Sequence, residues 1–449
     1  MENLLIIGLA AFCTVIPLAL GRRHGLLPLV SPMHLLAGFA GLGFLVKAVA
    51  VSFVPDLAFY ARFDPAPGAA ATGALYLTGF ILMICLGYRC AVGATRRHPV
   101  REAIRASAGQ LRHRNLLIAL SFVISALTFA LILQARGGPA PSWETLATLN
   151  RAKQVEVDAR GIGATLAGIK TLFILPKCAF VLILAQGLAR KSGAILFQAA
   201  LLATLLIGVA VVSGDRFELI ELVIYGVATY VIVCGHVRWK ALLTCAAALA
   251  LVIAVSAQMT VLRGQGAGLW EQVVGSTYFL DFNAAVMITD RAPPLGMLSG
   301  ESYLWWIFGW VPRAMWEAKP AIDLGVMFKQ EIMGVTTGGA FNVTGPGEAF
   351  INFGWAGMLV GFALGWVYRR LEVALLATPG AVGRARYPLY PLLFAPFLQA
   401  TLQSSFSAFI VGAVAQWVLI ALVMAFCLPH PVMRGRSAKG LQRRFAYAG

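Results

Sequence analysis

The sequence predicts an all-α polytopic integral membrane protein, and three observations predict it. Of 449 residues, 59% are hydrophobic and only 12% are charged, whereas a water-soluble domain carries about twice that charged fraction. The mean hydropathy is +0.79. Apolar runs of roughly 18 to 24 residues recur, each long enough to cross a ~30 Å hydrocarbon core as a helix.

Eleven spans are expected, at about residues 3–20, 33–54, 71–90, 115–134, 164–187, 193–213, 217–235, 239–258, 350–367, 387–403 and 406–427. The first is preceded by Met1-Glu2-Asn3, with no basic leader, and followed by Arg22 and Arg23. That order predicts an uncleaved helix with its N-terminus outside. Alternate connections are basic: Arg22/Arg23, Arg89 to Arg114, Arg190/Lys191, Arg238/Lys240, Arg369/Arg370 with Arg384/Arg386, and the tail from Arg434 to Arg444. Lys and Arg hold loops in the cytoplasm, so the pattern gives N-terminus out and C-terminus in. The net charge of +17 is absorbed by this topology and by contact with anionic lipid, and it argues for no nucleic-acid partner. All seven cysteines fall in or beside apolar segments, where small buried residues suffice as their role.

Three regions follow: a bundle over 1–258 with spans 1–8 and an external loop at about 135–163, an external region over 259–349, and spans 9–11 with a basic tail over 350–449. The middle region has five basic and eight acidic residues, a net of −3, unlike a retained cytoplasmic loop. Within it, Trp270–Thr289 is apolar enough for a helix lying at the interface, and Tyr303, Trp305, Trp306, Trp310 and Trp316 suit the headgroup level. Gly338-Gly339 and Gly345-Pro346-Gly347 predict tight turns. The outer loop has a capped amphipathic stretch starting at Ser142. The glycine run Gly38–Gly43 sits inside a span, where close helix packing is its expected role. No internal repeat is evident, which counts against an inverted-repeat transporter.

Ionisable residues inside spans cost at least ~2.5 kcal/mol each, so they pair or line a cavity. Lys47 falls in the outer part of the second span. Lys170 and Lys177, seven apart, share one face of the fifth. Asp215-Arg216 closes the sixth span outside, and Glu218 and Glu221 enter the seventh from that side. No comparable set is expected in the inner half. An outward-facing polar site suits an enzyme or receptor at the external face, and a salt-bridge network of Lys170/Lys177 with Glu218/Glu221 is the structural alternative.

Ser213-Gly214-Asp215-Arg216 at the close of a span, Pro312-Arg313, Lys319-Pro320, and Gly347-Glu348-Ala349-Phe350-Ile351-Asn352-Phe353-Gly354 together resemble the Wzy-type O-antigen polymerases, also called oligosaccharide repeat-unit polymerases. The resemblance in order and topology covers most of the chain, while its motifs occupy the outer face. It implies a glycosyltransferase at the periplasmic face of a bacterial inner membrane. Such an enzyme transfers a growing glycan from undecaprenyl pyrophosphate to the non-reducing end of another lipid-linked repeat unit. The lipid-linked oligosaccharide, the bilayer and a chain-length-regulating co-polymerase are the implied partners.

A diphosphate leaving group needs preorganised cations; Arg216, Arg263, Arg313 and Lys319 are the candidates, with Lys170 and Lys177 reaching from the fifth span. The acceptor hydroxyl needs a base. All six histidines map to cytoplasmic loops, inner helix ends or the tail, so a carboxylate serves, Glu348 first and Asp215 second, or no protein base acts. Their structural roles, a first-turn carboxylate at a helix N-terminus and a cap or an ion pair orienting Arg216, carry similar weight. Scattered single acids offer no metal site, and no cofactor is expected. A lipid-linked glycan ligase is the first alternative, although such ligases are expected to carry an external His. A flippase or transporter of lipid-linked oligosaccharide is the second.

Overall fold

The computed structural model describes residues 2–92, 111–135, 172–213, 216–235, 280–293, 296–311, 315–316, 322–335, 341–376, 387–403 and 405–428, with a few isolated positions between 243 and 274. Among the described residues all regular structure is helical, as expected. Among these described residues, seven helices are long and apolar enough to cross a membrane.

The helices are α1 (Glu2–His24), α2 (Pro32–Phe53), α3 (Ala69–Cys90), α4 (Arg114–Ala135), α5 (Ile174–Arg190), α6 (Gly193–Ser213), α7 (Arg216–Cys234), α8 (Phe282–Arg291), α9 (Gly345–Phe353), α10 (Met358–Leu376), α11 (Tyr390–Leu398) and α12 (Phe406–Cys427). Of the expected span at 239–258 only Leu243, Ala247, Ala250 and Ala254 are described, each in helix, and the Ser142 stretch lies outside the described residues. Large apolar side chains such as Phe12 and Val15 of α1, Val123 of α4, Phe197 of α6 and Phe426 of α12 point outward. In water such a surface would be an aggregation liability; in a bilayer it is the ordinary lipid-facing side.

Two groups of helices pack around separate cores. One comprises α1, α2, α3, α8 and α10; the other comprises α4, α5, α6, α7 and α12. Helix α11 wedges between them, contributing Tyr390 and Phe394 to the first core and Leu389 (just before it) and Leu392 to the second. The tightest joint is α3 on α10. A Cβ at Gly365 would lie 1.9 Å from the Ile84 carbonyl oxygen, and one at Gly87 would lie 1.9 Å from that of Phe362. Gly361 and Gly365, four apart, form a small-residue stripe that lets the backbones touch.

Four local outcomes differ from the sequence reading. The run Gly41–Leu45 forms a π-helical turn inside α2, and neither Gly38 nor Gly41 makes a close approach to another backbone. Of the Trp270–Thr289 segment, the described stretch Phe282 to Thr289 is a helix that is buried and packed on α3 rather than lying at the interface. Asp281 starts it, accepting the Ala284 N–H at 2.9 Å, an N-cap that the apolar run conceals. The ninth span lies in a longer apolar stretch, Gly345–Leu376, that is not one continuous helix. Phe353 and Gly354 (φ 57°, ψ −135°) break the chain after α9, and the longer helix starts at Met358. Finally, that helix does not end near 367 but runs on to Leu376, taking Arg369 into the bundle, where it is 2% exposed.

Candidate functional site

Polar groups gather at one end of the bundle, around α9. Its first turn contains Gly345-Pro346-Gly347, so this is a helix start rather than a free turn, with proline where its missing N–H costs nothing. Thr344 enters it at φ 63°, ψ 159°, a region essentially reserved for glycine, and it is buried. The approach is close: a Cβ at Gly345 would sit 1.9 Å from the Thr401 carbonyl oxygen. The Pro346 carbonyl accepts the Tyr76 hydroxyl at 3.1 Å.

Glu348 emerges from this turn and is 1% exposed. Ser302 donates its hydroxyl to Glu348 Oε1 at 2.7 Å, and the Phe406 N–H donates to Oε2 at 2.6 Å. Phe406 is the first residue of α12, whose N-cap Ser405 makes no side-chain capping bond. The carboxylate therefore faces the positive end of a 22-residue helix. No Arg, Lys or His of the described residues forms an ion pair with Glu348. Asn352, one turn on, donates to Ser302 Oγ at 2.7 Å and to the Glu348 carbonyl at 2.8 Å, and accepts the Gly300 N–H at 3.0 Å. Ser407 donates to the Ser302 carbonyl. Tyr303 stacks on Phe353 at 6.2 Å and meets Phe406 edge-on at 5.8 Å. Burial first, then the Glu348 charge, pushes its phenol well above the ordinary range, so it stays protonated.

Lys177 lies in a second cluster. Its ammonium pairs with Glu221 of α7 at 2.6 Å, and Gln399 donates to the other Glu221 oxygen. Gln399 opens a π-helical turn, Gln399–Gln403, that follows α11. The same turn presents the Thr401 carbonyl to Gly345, so one irregular segment touches both clusters. A cavity of about 10 Å³ beside Lys177, Glu218 and Tyr225 is at the limit for one water and too small for a diphosphate. A third pair, Lys47 with Asp281, is buried between α2 and α8.

Of the residues singled out from the sequence, Glu348 and Lys177 are thus placed, and Arg216 opens α7. Asp215, Lys170, Arg263, Arg313 and Lys319 lie outside the described residues. The Lys177–Glu221 pair is the one expected from helical spacing as a salt-bridge network. Ser302, Asn352 and Gln399 were not anticipated. Asn352 is four residues after Glu348, the spacing that puts two side chains on one helical face. Gln399 is one of three polar residues, with Thr401 and Gln403, in an otherwise apolar span.

The end of the bundle away from α9 also holds buried charge. Arg369 pairs with Glu372 at 2.8 Å at the far end of α10; Glu372 also accepts the Tyr88 hydroxyl at 2.6 Å and the Leu26 N–H at 2.9 Å. The sequence disguises this pair, because Arg369-Arg370 after an apolar run reads as a cytoplasmic flank.

Fold and site together define a helical, membrane-embedded protein with a buried carboxylate at the start of a short helix. The chain matches no family model, no curated protein and no solved structure.

Proposed function

We propose that the chain is an oligosaccharide repeat-unit polymerase of the inner membrane, with its site at the periplasmic face. The acceptor hydroxyl oxygen bonds to the anomeric carbon of the growing glycan. The bond from that carbon to the undecaprenyl diphosphate breaks, its electron pair leaves on the diphosphate, and the acceptor proton passes to a carboxylate. The observation that carries this reading is the environment of Glu348: a carboxylate that, among the described residues, is held only by neutral donors, a hydroxyl and an amide. Those two donors leave about half of its lone-pair positions open, and no arginine or lysine among the described residues neutralises it. Arg216, Arg263, Arg313 and Lys319 are the proposed diphosphate ligands. Lys177 is already neutralised by Glu221, which makes it a support for the site rather than a ligand. Because Glu348 is closed off by the segment that carries Ser302 and Tyr303, the base role requires this segment to lift when substrate enters.

The test is incubation of the purified protein in detergent with undecaprenyl-pyrophosphate repeat units, followed by gel separation of the glycans. A ladder of lengths supports polymerisation. Transfer only to a lipid A core makes the protein a ligase. Translocation without new bonds makes it a flippase, a reading to which the Arg369–Glu372 pair lends its one observation, buried charge at both depths. Glu348→Gln and Arg216→Ala should each abolish the ladder while the protein stays inserted; full ladders from both would overturn the site assignment. Arg313→Lys should fall well below wild-type turnover, since Lys cannot make the bidentate phosphate contact.

A further inference from the structure

The exposed side of α1 carries a pattern that the proposed reaction does not use. Leu4, Gly8, Phe12, Val15, Ala19 and Arg22 are all exposed, and their spacings of four and three residues align them in one stripe along the helix. Among the described residues, α1 packs on α2 and α3 on its other side. The stripe is apolar until it ends, in the last turn, on the adjacent exposed arginines Arg22 and Arg23. At this end the surface forms a groove of about 400 Å³ lined by Val15, Leu18, Ala19, Arg22 and Arg23.

We propose that this groove is a binding site for one anionic phospholipid, with its phosphate on Arg22 and Arg23 and an acyl chain along Ala19, Val15 and Phe12. Both chemistries are in place and in the right order. From Phe12 to Arg22 the helix rises roughly 15 Å, half of a ~30 Å hydrocarbon core and so the depth of one leaflet. An apolar wall alone would accept any lipid, and two arginines alone would attract any anion. Their sequence along one helix face selects a molecule with a negative headgroup and a tail that runs back toward the membrane centre. Arg22 and Arg23 also direct topology, and the site adds a ligand to that role without depending on the glycan chemistry above.

The experiment is native mass spectrometry of the delipidated full-length protein, titrated with phosphatidylglycerol and with phosphatidylcholine of the same acyl chains. Wild type should retain phosphatidylglycerol preferentially. Each arginine contributes roughly fivefold toward an anionic headgroup, so Arg22→Ala with Arg23→Ala should weaken phosphatidylglycerol by about 25-fold and erase the preference. Phosphatidylcholine binding should hardly change. Ala19→Trp fills the groove while leaving both charges, and hence insertion, intact; it should also lose bound phosphatidylglycerol. Arg62→Ala, at an exposed arginine in the Phe59–Phe63 turn, should bind as wild type does. The proposal is overturned if Ala19→Trp keeps the lipid, if the double variant keeps the preference, or if the delipidated protein is a dimer whose second copy occupies the stripe.

Discussion

Glu372 and Glu348 are both removed from solvent, 0% and 1% exposed, yet the groups that hold them differ in kind. Glu372 sits with its own cation: Arg369 is one turn away, and Tyr88 and the Leu26 N–H complete the shell. Arg369 in turn donates to the His24 carbonyl at 3.0 Å. Four segments, α1, the start of the α1–α2 connection, α3 and α10, are thereby tied at one point. Among the described residues, Glu348 ties α9 to α12 and to the segment 300–304 through neutral donors only. A carboxylate closed by an ion pair has little chemistry left to offer, since changing its charge strands an arginine. One closed by a hydroxyl and a helix N-terminus can exchange partners at a cost of ordinary hydrogen bonds. The two ends of the bundle therefore read as a lock and as a working joint.

The largest effect tests the lock. Arg369→Ala leaves Glu372 buried without its cation, which should cost about 3–5 kcal/mol and appear as a large fall in the thermal unfolding midpoint in detergent. Replacing both residues by apolar ones of similar volume should recover most of that loss. If the single substitution behaves like a surface change, within ~0.5 kcal/mol, the contrast between the two glutamates collapses.

Next in size is Lys47→Met, which isolates Asp281. The expected cost is about 3 kcal/mol, toward the lower end because Asp281 keeps the Ala284 N–H as a donor. Asp281→Asn keeps an oxygen to cap α8 but leaves the Lys47 ammonium buried without its counter-charge, so it should cost about as much as Lys47→Met. Arg369→Ala above both, measured under one set of conditions, is what the packing requires; a near-neutral Asp281→Asn would mean that the cap rather than the pair holds α8.

Smaller still is Gly365→Ala, where a methyl group meets the Ile84 carbonyl. Overpacking at so close a joint should cost about 2 kcal/mol, since α3 and α10 must separate together. Both ends should loosen, because α3 carries Tyr88 to the lock and Tyr76 to the joint. Hydrogen exchange confined to one end would show that the two ends are independent.

The membrane class and most helices could be read from hydropathy, because lipid solvation writes itself into every residue of a span. The Lys177–Glu221 pair was also legible, since burying charge forces nearby opposite charges together and helical spacing limits the choice. Partners far apart in the chain were not. Lys47 and Asp281 are 234 residues apart, and Tyr88 and Glu372 are 284 apart. Nothing in either local sequence states the match. The burial of Arg369 was hidden for a different reason: next to Arg370, at the end of an apolar run, it reads as an exposed flank, and its pairing with Glu372 is what lets it be buried. Ser302 lies in an aromatic stretch, and nothing in its neighbours announces its hydrogen bond to Glu348 46 residues on.

The smallest effect on stability falls where the largest effect on activity is expected. In Glu348→Gln the amide oxygen can still accept the Phe406 N–H, so α12 keeps its cap. On the other side the amide now donates toward Ser302 Oγ, which already receives the Asn352 amide. A hydroxyl oxygen accepts two such bonds, so the Ser302 proton alone must find a new acceptor. The net cost should be about 1 kcal/mol, well below that of Arg369→Ala, while the carboxylate proposed to take the acceptor proton is gone. The pair of measurements is unfolding midpoint and glycan ladder on the same preparation. A near-native midpoint with no ladder separates chemistry from architecture at this joint. A ladder retained with stability lowered by several kcal/mol would instead make Glu348 the structural cap of α12, as tightly committed as Glu372 at the other end.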